Sequence, residues 1–332
     1  MTDRRYLPDS AYPPRSLRRR QRGFTLIEMV LVITLMGALG VVVVVAMKTP
    51  IDTYLAGSRR ADLSDSADTA LRRVSRDLRK ALPNSVRLVA NDAQCLEFIP
   101  TRTGGRYREA IDSRAALAQT NLNVLDFNLV ASSFNMLGEN PALPSDQHIR
   151  TGDLVAVYNL GSVGSDAYRL DNVAQISAST LAIPGGLLSG VSYGPETQLQ
   201  ISGRSTPFPL PSASKRFQII PGDEQVVSYV CSGAGLDAAG NGQGTLYRYA
   251  RSALSNAQGL TAYPPPTSCA AILTNLNAVT DKPAVLASNV SECRFDYDSA
   301  SGHLGLVRLA LSVTRSNETV RLSAQTGVEN LP

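Results

Sequence analysis

Polar and apolar residues follow three successive patterns along this 332-residue chain. Residues 24–47 are apolar almost without interruption, and Glu28 is the one ionisable side chain among them. At about 1.5 Å per residue, a helix of that length runs roughly 36 Å, enough to cross a bilayer. Residues 48–83 then change to a helical repeat. Leu63, Ala67, Ala70 or Leu71, Val74, Leu78 and Leu82 recur at steps of three and four, which predicts an amphipathic helix with one apolar stripe. Its other face carries Arg59, Arg60, Asp62, Asp65, Asp68, Arg72, Arg73, Arg76, Asp77, Arg79 and Lys80, and reads as a solvated surface, with a contact surface between subunits as the alternative. Asp68 with Arg72, and Arg73 with Asp77, have the spacing for i,i+4 pairs. Pro50 lies between the two stretches, where a kink or short break is expected because proline lacks an N–H. Pro83-Asn84 is expected to end the helix.

From residue 84 the period shortens to two. Strand-like runs occur at 95–99, 124–130, 154–158, 198–201, 217–220, 225–231 and 246–249, with Pro and Gly between them. The clearest pair is near the C-terminus. Val307, Leu309, Leu311 and Val313 alternate with more polar residues. A short turn at Ser316-Asn317-Glu318 follows, and then Val320, Leu322 and Ala324 alternate in turn. Pro264-Pro265-Pro266 reads as a surface loop. The expected fold is α+β: a long N-terminal helix, half membrane-spanning and half amphipathic, packed on a mainly antiparallel β-sheet head. Residues 84–332 are enough for one large domain or a domain with an elaborated insert.

Charge is uneven. Residues 1–23 hold seven Arg and two Asp, a charge of +5, within a chain whose net charge is +4. Without them the remainder stands near −1, so a nucleic-acid footprint on the head loses its main support and no nucleic-acid partner is expected. The segment has no apolar core of the kind that an ordinary secretory signal needs. Its positive charge predicts an N-terminus held in the cytoplasm, with the bulk of the chain on the other side.

Arg22-Gly23-Phe24-Thr25-Leu26-Ile27-Glu28, followed by the apolar stretch, resembles the signal of type IV prepilins and type II secretion pseudopilins. The resemblance implies cleavage after Gly23 by a membrane prepilin peptidase, N-methylation of Phe24, and neutralisation of the new amine by Glu28 of a neighbouring subunit. It implies a pilin-like head and four segments: leader 1–23, membrane and assembly helix 24–47, amphipathic helix 48–83 and periplasmic head 84–332. The implied location is the inner membrane as a single-pass protein, then a pilus. The implied partners are the peptidase, other minor and major pilins and an inner-membrane assembly platform. Further patches are similar to the O-type minor pilin of mannose-sensitive haemagglutinin (MSHA) pilus biogenesis. They are residues 67–73, Arg76-Asp77, 81–87, 95–100, 105–108, 293–297 and 329–332. Residues 110–215 are harder to match. The J-type pseudopilin of type II secretion and a membrane-tethered glycan-binding module are the alternatives.

Cys95, Cys231, Cys269 and Cys293 all lie on the side expected to be oxidising, so two disulfides are expected. Three connectivities are possible. Cys231–Cys269 with Cys95–Cys293 is preferred, because Cys95 and Cys293 sit in strand-like runs and Cys269 ends a loop. The spacings give no zinc pattern and no metal or cofactor is expected. No catalytic set emerges, so the chain reads as a non-enzyme. His148 and His303 are isolated in loop-like stretches, and Ser212-Ala213-Ser214-Lys215 lacks the companion motifs of a Ser-x-x-Lys enzyme. The glycine-rich residues 233–244 offer Asp237 and Asn241, which could ligate Ca²⁺, but read better as a flexible hairpin loop. Arg102, Arg106 and Arg108 with Tyr107 make a small basic-aromatic cluster. It reads as solvated strand-edge charge, with a contact to DNA or polysaccharide as the alternative.

Overall fold

The computed structural model describes residues 23–89, 92–110, 123–188, 191–256, 258–274, 282–298 and 304–332. Leader residues 1–22 and His303, on which expectations above rest, lie outside them. The chain divides into two compact units, ending and beginning at Ala56 and Gly57.

Helix α1 spans Leu26–Leu78. In the first unit it is long and apolar enough to cross a membrane, and its described side chains up to Leu55 are exposed. No break occurs at Pro50, which the helix includes. Proline removes one backbone donor but holds a φ that suits a helix, so the turns on either side persist.

In the second unit the apolar stripe behaves as the repeat predicts: Leu63, Ala67, Ala70, Leu71, Val74 and Leu78 are all buried. The helix stops at Leu78, five residues before Pro83. Leu82 donates its N–H to the Ile99 carbonyl at 2.7 Å, and Ala81 bridges to Pro100, so strand-type bonding takes over from the helix.

In chain order the strands are β1 (Arg87–Val89), β2 (Asp92–Phe98), β3 (Thr103–Arg106), β4 (Ser133–Leu137), β5 (Leu154–Ala156), β6 (Val173–Ile183), β7 (Gly186–Leu188), β8 (Val191–Tyr193), β9 (Glu196–Ser202), β10 (Arg216–Ile220), β11 (Val226–Ser232), β12 (Gly244–Arg251), β13 (Ser255–Asn256), β14 (Gly259–Leu260), β15 (Lys282–Asp298), β16 (Leu304–Arg315) and β17 (Glu318–Glu329). A short helix, α2 (Cys269–Thr274), precedes β15. Seven strands form one antiparallel sheet in the order β1-β2-β11-β12-β15-β16-β17. Six form another in the order β3-β10-β5-β6-β9-β4. Phe98 of β2 pairs directly with Val227 of β11, so the second sheet is an excursion between two adjacent strands of the first.

Each layer has its own core. The stripe of α1 packs with Leu96, Phe98, Tyr229, Phe295, Leu309 and Leu311 of the seven-stranded sheet. Phe134, Val155, Ile176, Leu199 and Phe217 fill the second sheet's core. A third cluster around Leu82, Ile99, Leu154, Tyr168, Val226 and Leu254 joins them. The C-terminal hairpin turns through Ser316 and Asn317 alone, at φ 51° and 63°, the pattern of a two-residue type I′ turn.

One expected strand is absent: residues 124–130 are bends and irregular chain. Asp126 Oδ1 accepts the Asn128 N–H at 2.8 Å, so a side chain competes for the backbone that a strand would pair.

The cysteine pairing is also corrected. The structure joins Cys95 to Cys269 and Cys231 to Cys293, with Cα separations of 5.6 and 6.2 Å, in place of the expected Cys231–Cys269 and Cys95–Cys293. The reason is strand parity. Cys95 lies opposite Val230 in the ladder, so Cys231, one residue on, projects to the other face. Cys231 and Cys293 lie in the core under α1, whereas Cys95 and Cys269 lie in the cluster under α2. Non-reducing peptide mapping of the full-length protein is expected to recover these two linkages. A Cys95–Cys293 peptide would contradict the arrangement.

Candidate functional site

The N-terminal motif sits at the start of α1. Gly23 has open space around it and no atom within 4 Å of a Cβ built there, so folding does not require glycine at this position. Phe24 is 78% exposed. The Thr25 hydroxyl accepts the Glu28 N–H at 3.3 Å and the Thr25 carbonyl accepts the Met29 N–H at 3.1 Å, so Thr25 serves as the helix cap. Glu28 is exposed in the first turn, where the helix dipole favours a negative charge. Among the described residues it has no ion-pair partner. A carboxylate on an otherwise apolar, exposed helix is suited to meeting a cation supplied by another molecule.

Residues 18–44 match the family model for the prokaryotic N-terminal methylation motif. The chain carries a prepilin-type methylation motif. That finding supports a type IV pilin-like or pseudopilin role, points to a structural subunit rather than an enzyme, and suggests membrane anchoring through the apolar helix. It implies processing by a prepilin peptidase and assembly with other pilins. No curated protein and no solved structure matched the chain.

On the head, the basic-aromatic cluster disperses. Arg102 donates to the buried Asp153 carboxylate at 2.7 Å, and Arg108 Nε donates to the buried Glu196 at 2.9 Å. Tyr107 is buried, with its hydroxyl accepting the Ser212 N–H at 3.1 Å. Arg106 alone is exposed. Neither a solvated edge nor a basic contact surface describes these residues, because buried carboxylates neutralise two of the three cations.

In the glycine-rich loop, Asp237 Oδ1 accepts the N–H groups of Ala239 and Asn241 at 2.9 and 2.7 Å, and Oδ2 accepts from the Asn241 amide. These bonds from Asn241 hold the Asp237 carboxyl below its usual range. The carboxylate is thus occupied in shaping its own loop. Lys215 pairs with Glu109 at 2.5 Å and His148 contacts the Leu143 carbonyl at 2.9 Å. Asp92 lies beside Cys95 and Cys269, but both sulfurs are in a disulfide and Asp92 accepts the Cys269 N–H at 3.2 Å.

Two ionic networks escaped the sequence reading. The first fixes the helix to the sheet: Asp77 Oδ2 accepts from Tyr229 Oη at 2.8 Å and from Arg248 Nε at 2.7 Å, while Arg248 also pairs with Glu224. Asp77 is therefore not part of a solvated face. Its i,i+4 contact with Arg73, at 3.7 Å, is looser than the Asp68–Arg72 pair at 2.6 Å. The second centres on the buried Glu97, which takes Arg87 at 3.0 Å, Ser228 Oγ at 2.6 Å and Tyr263 Oη at 3.2 Å. Arg87 also donates to the Pro264 carbonyl at 3.2 Å and lies 3.6 Å over the Tyr168 ring, so the network ties the proline-rich loop to the seven-stranded sheet and to the turn that carries Tyr168. One signal was available: Glu97 and Arg248 each interrupt an apolar strand run, where a charge implies a buried partner.

Asp77→Ala is expected to destabilise the fold by about 2–4 kcal/mol, because it strips Arg248 and Tyr229 of a partly buried acceptor. Denaturant midpoints of the two full-length proteins in detergent measure the difference. Burial raises the phenol groups of Tyr107, Tyr168, Tyr229 and Tyr249, and pushes Tyr263 to about 12. Their stabilising contribution is therefore complete below the unfolded value of 10.0 and is lost as pH climbs toward 12 and beyond. An absorbance titration of phenolate should show these tyrosines ionising together with unfolding, separate from the exposed ones.

Proposed function

We propose that the chain is a minor pilin that acts in assembly of a type IV pilus of the MSHA type. Its precursor is held in the inner membrane by α1, with the N-terminus cytoplasmic and the head periplasmic. A prepilin peptidase cuts after Gly23 and methylates the amine of Phe24. Glu28 then meets the Phe24 amine of an adjacent subunit. The observation that carries this reading is the methylation motif set at the start of an exposed apolar stretch whose one carboxylate, Glu28, has no ion-pair partner among the described residues. In hydrocarbon an unpaired carboxylate is costly, so pairing between subunits supplies register as well as attraction.

The O-type assignment rests on the spread of its similar patches over the chain. Several of these patches meet in space. Asn84 donates to the Asn330 carbonyl at 2.9 Å, and Arg87 pairs with Glu97 at 3.0 Å. A subunit that retains Glu28 has a neighbour to engage, which supports a position near the tip or the initiating complex but not at its apex.

Mass spectrometry of the mature protein should find N-methylated Phe24 as its first residue. Glu28→Ala should leave membrane insertion intact and reduce co-purification with other pilins at least about tenfold. An intact Met1 in the mature protein would support a tethered binding module instead. Undiminished co-purification in Glu28→Ala would overturn the assembly role of this carboxylate.

A further inference from the structure

Strand β17 ends the seven-stranded sheet and pairs with β16 along its 12 residues. Among the described residues its outer edge has no strand partner. Natural edges of this length are usually blunted by proline, a bulge or free charge. β17 has no proline and its ladder with β16 is regular; its charges are Glu318, paired with Arg60, Arg321, paired with Glu292, both at 2.6 Å, and the exposed Glu329 at its far end, so the stretch around Leu322–Ala324 carries no free charge of its own. The helix covers it incompletely. Leu309, Leu311 and Val313 of β16 are buried, whereas Leu322 and Ala324 of β17 are only half-buried.

Where α1 and β17 part, a groove of about 400 Å³ remains. Leu322, Ser323 and Ala324 line one side. Arg72, Arg76 and Arg79, at steps of four and three, line the other. Arg72 is held by Asp68 at 2.6 Å, but neither Arg76 nor Arg79 has an ion-pair partner among the described residues. All of these groups belong to the second unit, so the inference stands apart from the N-terminal processing proposed above.

We propose that this groove binds an extended acidic segment of another polypeptide, added as a strand along the free edge of β17. Backbone groups of β17 would pair with the incoming strand, and alternate apolar side chains would cover Leu322 and Ala324. Arg76 and Arg79 line the same side of β17 as Leu322 and Ala324, so carboxylates interspersed among the apolar residues at the inward-facing positions meet them. The basic wall rejects a basic strand of the same shape, so charge sets the partner class and the ladder sets its conformation.

The probe is a fluorescein-labelled peptide of about eight residues, with Thr at every second position and Val and Glu taking turns at the positions between, so that both face the groove, added to the full-length protein in detergent micelles. Fluorescence anisotropy should show saturable binding, weakened about tenfold or more in the double variant Arg76→Glu, Arg79→Glu. A peptide with Lys in place of Glu should not bind, nor should a copy whose backbone nitrogens are methylated. The double variant should keep the parent's thermal midpoint, and Leu322→Ala provides a second, charge-neutral probe of the same groove. Equal binding of the Lys peptide overturns the charge argument, and survival of binding after N-methylation overturns the strand pairing. Loss of peptide binding as protein concentration rises would assign the edge to a second copy of this chain and overturn the proposal.

Discussion

The stripe from Leu63 to Leu78 is the contact on which the second unit is built. Six side chains on one face of α1 are removed from water by the seven-stranded sheet. Each large one contributes about 1.5–3 kcal/mol through burial. The sheet in turn needs the helix, because Phe98, Tyr229, Phe295 and Leu311 would otherwise present an apolar face to water. Asp77 then adds what burial alone does not: a directional bond to Tyr229 and Arg248 that selects one axial position of the helix on the strands. The same helix begins among exposed apolar residues that have no such partner among the described residues. One element thus carries two demands, and each is met by a different solvent or surface.

Four arginines of the head are tied to carboxylates inside it. Arg87, Arg102, Arg108 and Arg248 each reach a carboxylate that is buried or partly buried. Such pairs add little net stability against an apolar alternative, but removing either partner is expensive, so they fix geometry more than they add free energy. Arg102 and Arg108 secure the second sheet by tying it to Asp153 and Glu196. Arg76 and Arg79 on α1, by contrast, have no ion-pair partner among the described residues.

The helix and most strands were legible in the sequence because their periods are long and uninterrupted. The stripe of α1 and the alternation of β16 and β17 involve only local spacing. What was not legible depends on register between distant strands. Cys95 and Cys231 both lie in apolar runs, and nothing local shows that they face opposite sides of the sheet. Asp77 reads as one more charge on a charged face until β11 and β12 are placed beneath it. The end of α1 was misjudged because Pro83 is a strong local stop, yet pairing of Leu82 with Ile99 ends the helix first. At the N-terminus the motif around Gly23, Phe24 and Glu28 was readable because its meaning resides in the sequence and not in packing.

The two cysteine bridges interleave: the first thiol in the chain joins the third and the second joins the fourth. A polypeptide that emerges N-terminus first exposes Cys95 and Cys231 together before Cys269 arrives. The earliest available bond between them is therefore one that the finished protein does not contain. Maturation of this head demands either that oxidation wait until the strands have zipped, or that a thiol-exchange catalyst undo a premature link.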